Sequence, residues 1–216
     1  MKTLVLLAVA ASGSQLTDEL WQAAEWVPVS EDEGVETFRK ELEGFDLVAF
    51  RGDSTVDMHI SEVMGVYMKN DIAKEWVDML IESETLIRIS SAERIFYNRY
   101  DLSFPLSDRD YVLHSRVEID RDNKQVTGTY RSTTHPDRPD LDCCVRARVF
   151  RTYWKFTGLP DRKTRIEVEV LTDPAGMVPT WVVNMVQKNW PKNSINNLIG
   201  RAEKHDIEPH RNFADW

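Results

Sequence analysis

The stretch between residues 94 and 171 limits the possible folds more than any other part of the chain. It holds five candidate strands, 94–102, 111–120, 125–132, 145–156 and 163–171, and apolar and polar residues alternate most clearly in 111–120 and 163–171. Alternation with period two marks a strand with one buried face. Short turn-forming runs separate the segments: Pro105 to Asp108, Arg121-Asp122-Asn123, Thr134 to Asp140 and Gly158 to Arg162. Connections this short join antiparallel neighbours. A long helical segment then begins near Pro179, with Trp181, Val182, Met185 and Val186 on a stripe that Ile195, Leu198, Ile199 and Ala202 continue. Pro191 inside it lacks a backbone N–H and predicts a kink or local loosening. An antiparallel sheet with one long C-terminal helix is an α+β domain, because the helix has to bury its stripe on a sheet face.

Upstream, Thr17 precedes a helical pattern with Leu20, Trp21 and Ala24. Residues 34–42 and 45–53 read as strands parted by Gly44, and Gly52-Asp53 reads as a turn into a third strand over 55–60. Ser61 opens a helix, and a second helix after Asn70-Asp71 carries Ile72, Trp76, Met79 and Leu80. There is no repeat and no linker. One domain is expected over 17–204, followed by a polar, frayed tail over 205–216.

The strand faces define a candidate site. Tyr111, Leu113, Ser115, Val117 and Ile119 share the inner face of one strand, and Arg109 has the same parity. Phe150, Trp154 and Phe156 fall together with Arg148 and Thr152, and Ile166, Val168 and Val170 are the inner set of the last strand. Inner faces therefore mix large aromatics with a few polar groups. A strongly curved sheet around one helix leaves volume that side chains do not fill, which describes a small-molecule site. A solid core produces the same pattern.

Composition narrows the partners. The formal charge of −9 speaks against non-specific nucleic-acid binding and against constant attachment to anionic membranes, and leaves room for a local basic patch such as one around Arg146, Arg148 and Arg151. Seven tryptophans suit a wide core or a lined cavity. Cys143 and Cys144 are adjacent, would point to opposite faces of a strand, and are expected to be free thiols. Neither they nor the histidines show metal-ligand spacing. Residues 1–13, with Lys2 ahead of Leu4 to Ala11, resemble a secretory signal cleaved before Ala11, which implies a periplasmic or secreted protein; the other reading is an apolar N-terminal helix of a cytoplasmic one.

Several stretches, in order, resemble START (StAR-related lipid transfer) domains. "FPLSDRDYVLHSR" is similar to that family's Pro-x-Ser-x-Arg-Asp-aromatic-Val signature. Trp154-Lys155, Thr164-Arg165, Asp173-Pro174, Gly176, Pro179 and Trp181 match its later block, and "AKEWVDML" its segment around Trp76. The resemblance runs from about Trp21 to Ala202 and implies a single-domain member of bacterial type. It implies a helix-grip fold, shared with birch-pollen-allergen-like proteins, in which a curved antiparallel sheet wraps the C-terminal helix over a tunnel. It also implies binding and transfer of a lipid or sterol without a reaction or a cofactor, transient membrane contact, and a hinge over 173–179. The ligand-binding residues expected on this basis are Arg109, Tyr111, Leu113, Ser115, Phe150, Trp154, Val168, Trp181 and Met185. One departure stands out: the family often carries a second arginine six residues after the first, where this chain has Ser115.

Arg109 has two readings, a ligand contact or a structural pair with a carboxylate such as Asp101 or Glu93; Asp110 is expected to cap or pair locally. No GxSxG, HExxH, Walker or GxGxxG motif is present. The alternatives to a carrier are a cyclase- or hydrolase-like enzyme of the same superfamily acting on a hydrophobic substrate, and a ligand-sensing domain.

Overall fold

The computed structural model describes residues 16–102 and 106–216. The signal-like segment and Pro105 lie outside them. In chain order the elements are α1 (Asp18–Ala23), β1 (Val27–Asp32), β2 (Val35–Lys40), β3 (Ala49–Val56), α2 (Ile60–Tyr67), a 3₁₀ helix (Asn70–Glu75), β4 (Leu80–Arg88) and β5 (Glu93–Tyr100). Then come β6 (Asp108–Asp120), β7 (Gln125–Ser132), β8 (Cys144–Arg146), β9 (Arg148–Leu159), β10 (Lys163–Asp173), α3 (Thr180–Ala202) and a 3₁₀ turn (Arg211–Phe213).

The strands form one curved sheet in the order β1-β2-β3-β10-β9-β7-β6-β5-β4. Its pairs are antiparallel, except that the short β8 runs parallel to the start of β6. Together with α3 this is the helix-grip arrangement. Local chemistry starts the first two helices. The Thr17 hydroxyl accepts from the Leu20 N–H at 3.1 Å, and His59 and Glu62 form a reciprocal capping box at the head of α2.

The two halves of α3 meet different surroundings. In the C-terminal half, Ile195, Leu198 and Ala202 pack solidly with Phe156, Ile166 and Val168 of the sheet and with Ile60, Val63 and Met64 of α2. Gly52 permits this approach: a Cβ there would lie 2.8 Å from Pro191 Cβ and 3.3 Å from Ile195 Cδ1. The N-terminal half stands off the sheet. Its polar Gln187 is buried and bridges to β10, where its amide donates to the Thr172 carbonyl and its oxygen accepts from the Thr172 N–H, both at 2.9 Å. On the outer sheet face, α1 buries Trp21 against Leu42, Ala49 and Leu171.

Several expectations change. Gly52 and Asp53 lie inside β3, which runs on to Val56, so residues 55–60 are no third strand; His59 is a helix cap. The second helix is one 3₁₀ stretch, because the chain turns at Met79 (φ 59°) into β4, an edge strand with no clear alternation. β1, likewise mostly exposed, has no periodic signal either. The 145–156 strand is broken at Ala147 into β8 and β9. α3 continues through Pro191, which is buried against Gly52.

The tail is docked rather than frayed. Phe213 is fully buried, the His210 N–H donates to the Ser61 carbonyl at 2.7 Å, and His59 Nε2 meets the Trp216 carbonyl at 3.0 Å. Cys143 and Cys144 are joined as a disulfide instead of being free. Strand parity does not apply to the pair, since Cys143 belongs to the turn before β8.

Candidate functional site

A cavity of about 400 Å³ lies between the inner face of the sheet and the N-terminal half of α3. That falls within the roughly 300–1,000 Å³ typical of small-molecule sites. The registers Arg94↔Ser115, Phe96↔Leu113, Asn98↔Tyr111 and Tyr100↔Arg109 put alternate residues of β5 and β6 on this inner face. Val182, Val183, Val186 and Trp190 of α3 roof it, and Thr152, Trp154 and Val170 form its floor. Tyr67 of α2 and Trp76 also line it. Met79, Leu106 and Val186 line it while remaining 49%, 41% and 51% exposed, so the cavity meets solvent beside them.

The lining is largely apolar, with sparse polar groups. Asn98 is 7% exposed; its amide N donates to the Tyr100 hydroxyl at 3.1 Å, and its Oδ1 is buried with no hydrogen-bond partner among the described residues. Burial pushes the Tyr100 phenol up to about 12 and raises that of Tyr111 further, so both stay neutral. The hydroxyls of Tyr67 and Tyr130 bond each other at 2.7 Å, and burial raises both of their pKa values. A Cβ at Gly128 would collide with the Tyr67 hydroxyl. Arg94 lies over the Phe96 ring at 4.4 Å and reaches Thr85 Oγ1 at 3.4 Å; burial is the main influence lowering its pKa.

Arg109 lines the cavity but spends its guanidinium on the backbone. It is 3% exposed. Its Nε donates to the Pro174 carbonyl at 3.0 Å, Nη1 to Ser107 at 2.6 Å and Nη2 to Ala175 at 3.2 Å. The arginine therefore ties the start of β6 to the loop that leads into α3. Glu93 pairs with His114 at 2.6 Å instead. Asp110 finds no local partner: it accepts two bonds from Arg146 of β8, at 3.0 and 2.9 Å, which hold β8 against β6. Arg151 is paired with Glu169 at 2.8 Å and Arg148 lies over Phe150 at 4.5 Å, so the local basic group is divided among separate partners.

Of the residues expected at a site, Arg109, Tyr111, Leu113 and Trp154 line the cavity, and five described residues do not. Ser115 is buried between Arg94 and Tyr130 in the sheet register. Phe150 leaves the inner face because the β9–β10 register shifts beside it; it meets Phe45 at 5.2 Å in the outer cluster, and Val149 takes the inner place. Val168 belongs to the solid core under the C-terminal half of α3. Trp181 and Met185 are 69% and 53% exposed, because the buried line of α3 runs through Val183, Gln187, Pro191 and Ile195, which leaves them on its flank. The sequence reading missed Asn98, Tyr100 and Gln187. Residues 94–102 mix polar and apolar side chains on both parities, so no face stood out, and a buried glutamine has no periodic signal.

A START domain profile matches residues 8–203 of the chain. Phosphatidylcholine transfer protein of Bos taurus is 24% identical over 188 residues, covering 84% of this chain and 86% of that protein. The structure of human STARD10 is similar with a TM-score of 0.77 at 19% identity, covering 91% of this chain and 84% of the other. A STAR-related lipid transfer protein from Xanthomonas axonopodis is similar with a TM-score of 0.72 at 22% identity, covering 82% of this chain and 98% of the other. The chain belongs to the START domain family.

Proposed function

We propose that this protein binds one hydrophobic small molecule, a lipid or sterol, in the cavity under α3 and carries it between membranes without altering it. The observation that carries this reading is the hollow itself. The same helix packs solidly over its C-terminal half and stands over a mostly apolar space of about 400 Å³ over its N-terminal half. Close packing is the rule in protein interiors, so a space of this size is best explained by an occupant. A related protein is named for phosphatidylcholine transfer, which supports the same class of cargo.

Entry would be by the 174–179 loop and the first turns of α3. Met177, Trp181, Met185 and Val186 are exposed there, an unusual concentration of apolar side chains for a surface in water. We take this rim to be the part that touches a bilayer during loading, with the Arg109 bonds to Pro174 and Ala175 holding the loop shut between encounters.

The test is to purify the chain, extract it into organic solvent and identify the co-purified molecule by mass spectrometry, then to follow its movement between vesicles. Recovery of an intact lipid that is also transferred is the expected result. A lipid held but never transferred would favour a sensor, and a chemically changed one an enzyme. A chain that captures no hydrophobic molecule would refute the reading.

A further inference from the structure

We propose that Asn98, Tyr100 and Tyr111 form a hydroxyl-recognition subsite on the cavity wall, so that the cargo is a hydrophobic molecule bearing a neutral hydroxyl at that point. This deepens the carrier reading and rests on it.

The unpaired Asn98 oxygen is the starting observation. The side chain is more than nine-tenths buried, lines the cavity and lacks a partner at Oδ1 among the described residues, although its nitrogen is bonded to Tyr100. Leaving a buried acceptor unmade is costly, and such groups are nearly always satisfied by something. With the two ends of the amide exchanged, an N–H would be left unpaired instead of an oxygen, and a hydroxyl can satisfy either one.

The neighbours fit the same occupant. Tyr111 is the cross-strand partner of Asn98, and its ring meets that of Tyr100 edge-on at 5.4 Å. The Tyr100 oxygen already accepts from Asn98, which leaves its own O–H free to donate, and Tyr100 lines the cavity. Tyr111 also lines the cavity, and its hydroxyl makes no hydrogen bond to another described residue. The three side chains therefore offer at least one acceptor and two donors within one patch. A hydroxyl both donates and accepts, so it can satisfy Asn98 and a tyrosine together. An ether, an ester or a hydrocarbon cannot donate to Asn98.

A charged head fits poorly here. Arg109, which faces Tyr100 across the strands, has three nitrogens committed to backbone carbonyls. Arg94 lies four residues from Asn98 along β5, roughly 13 Å in an extended strand. A buried anion beside neutral phenols would lack the pairing that its desolvation demands.

The delipidated full-length chain is titrated from cyclodextrin with two matched pairs: cholesterol against its 3-deoxy hydrocarbon, and 12-hydroxystearate against stearate. Phosphatidylcholine vesicles are a further arm. In one pair the hydroxylated member is expected to bind about tenfold more tightly, the equivalent of one good hydrogen bond, and the pair that responds identifies the source of the hydroxyl. Asn98→Leu should reduce that ratio to below about twofold. Tyr111→Phe, which removes a single oxygen, should lower the ratio in part and covers the case in which Asn98→Leu does not fold.

Equal affinities within both pairs, or a preference that survives both substitutions, would overturn the subsite. Binding of phosphatidylcholine alone would overturn it as well and leave the carrier reading standing. If no probe binds at all, the carrier reading itself fails.

Discussion

Arg109 shows how a side chain can be placed correctly and still be misread. Parity puts it on the inner face, and it does line the cavity, but its donors end on carbonyls of a loop 65 and 66 residues away. No local pattern reports a partner so distant. Hydrogen bonds from a charged donor are the stronger kind, so Arg109→Leu should cost about 2–4 kcal/mol in denaturant unfolding. It should also speed proteolytic cleavage within residues 174–178, which separates a clamp from a pure ligand contact. Tyr100 offers a second check. Its pKa of about 12 lies above the ordinary tyrosine value of 10, because burial disfavours the phenolate. Below pH 10 the phenol is neutral in folded and unfolded chains alike. Above it the unfolded chain loses the proton first, so stability should fall as pH rises from 10 through about 12. Ultraviolet titration of the wild type against Tyr100→Phe should show one late-ionising phenol missing in the variant.

Elements with a clear period were legible, and those shaped by contacts were not. β7 matches its expected span, and β6 and β10 lie within a few residues of theirs, because alternation and turn chemistry are written among near neighbours; β5 also lies within a few residues of its expected span, although its residues do not alternate cleanly. β1 and β4 have no such alternation, being mostly exposed strands at the two ends of the sheet. The shift in β9–β10 pairing that carries Phe150 to the outer face is invisible in either strand alone. Gly52 was misread for a related reason. Glycine is common in turns, but here it sits mid-strand so that Pro191 and Ile195 of α3 can come close. Gly52→Ala places a methyl 2.8 Å from Pro191 Cβ, so α3 must shift from β3. Overpacking of this kind should destabilise by about 1–3 kcal/mol, measured by urea or thermal unfolding.

At the level of the molecule, a solid half and a hollow half share one helix. The exposed rim beside the hollow leads to a prediction distinct from those on the walls. Trp181→Ser with Met185→Ser should slow vesicle-to-vesicle transfer several-fold while leaving bound lipid and unfolding midpoint nearly unchanged, because neither side chain lines the cavity or the core. Unchanged transfer would remove the rim from the mechanism. Periodicity and turn residues, which act over a few positions, were enough to announce the antiparallel strands, the terminal helix and the inward parity of Arg109, Tyr111 and Leu113. Whether the space under that helix was filled could not be read the same way. It depended on a register shift, on the close approach of Gly52 to Pro191 and on a buried Gln187 bridging to Thr172. Those contacts join residues far apart in the chain, and they exist only once the sheet has curved and the helix has settled against it.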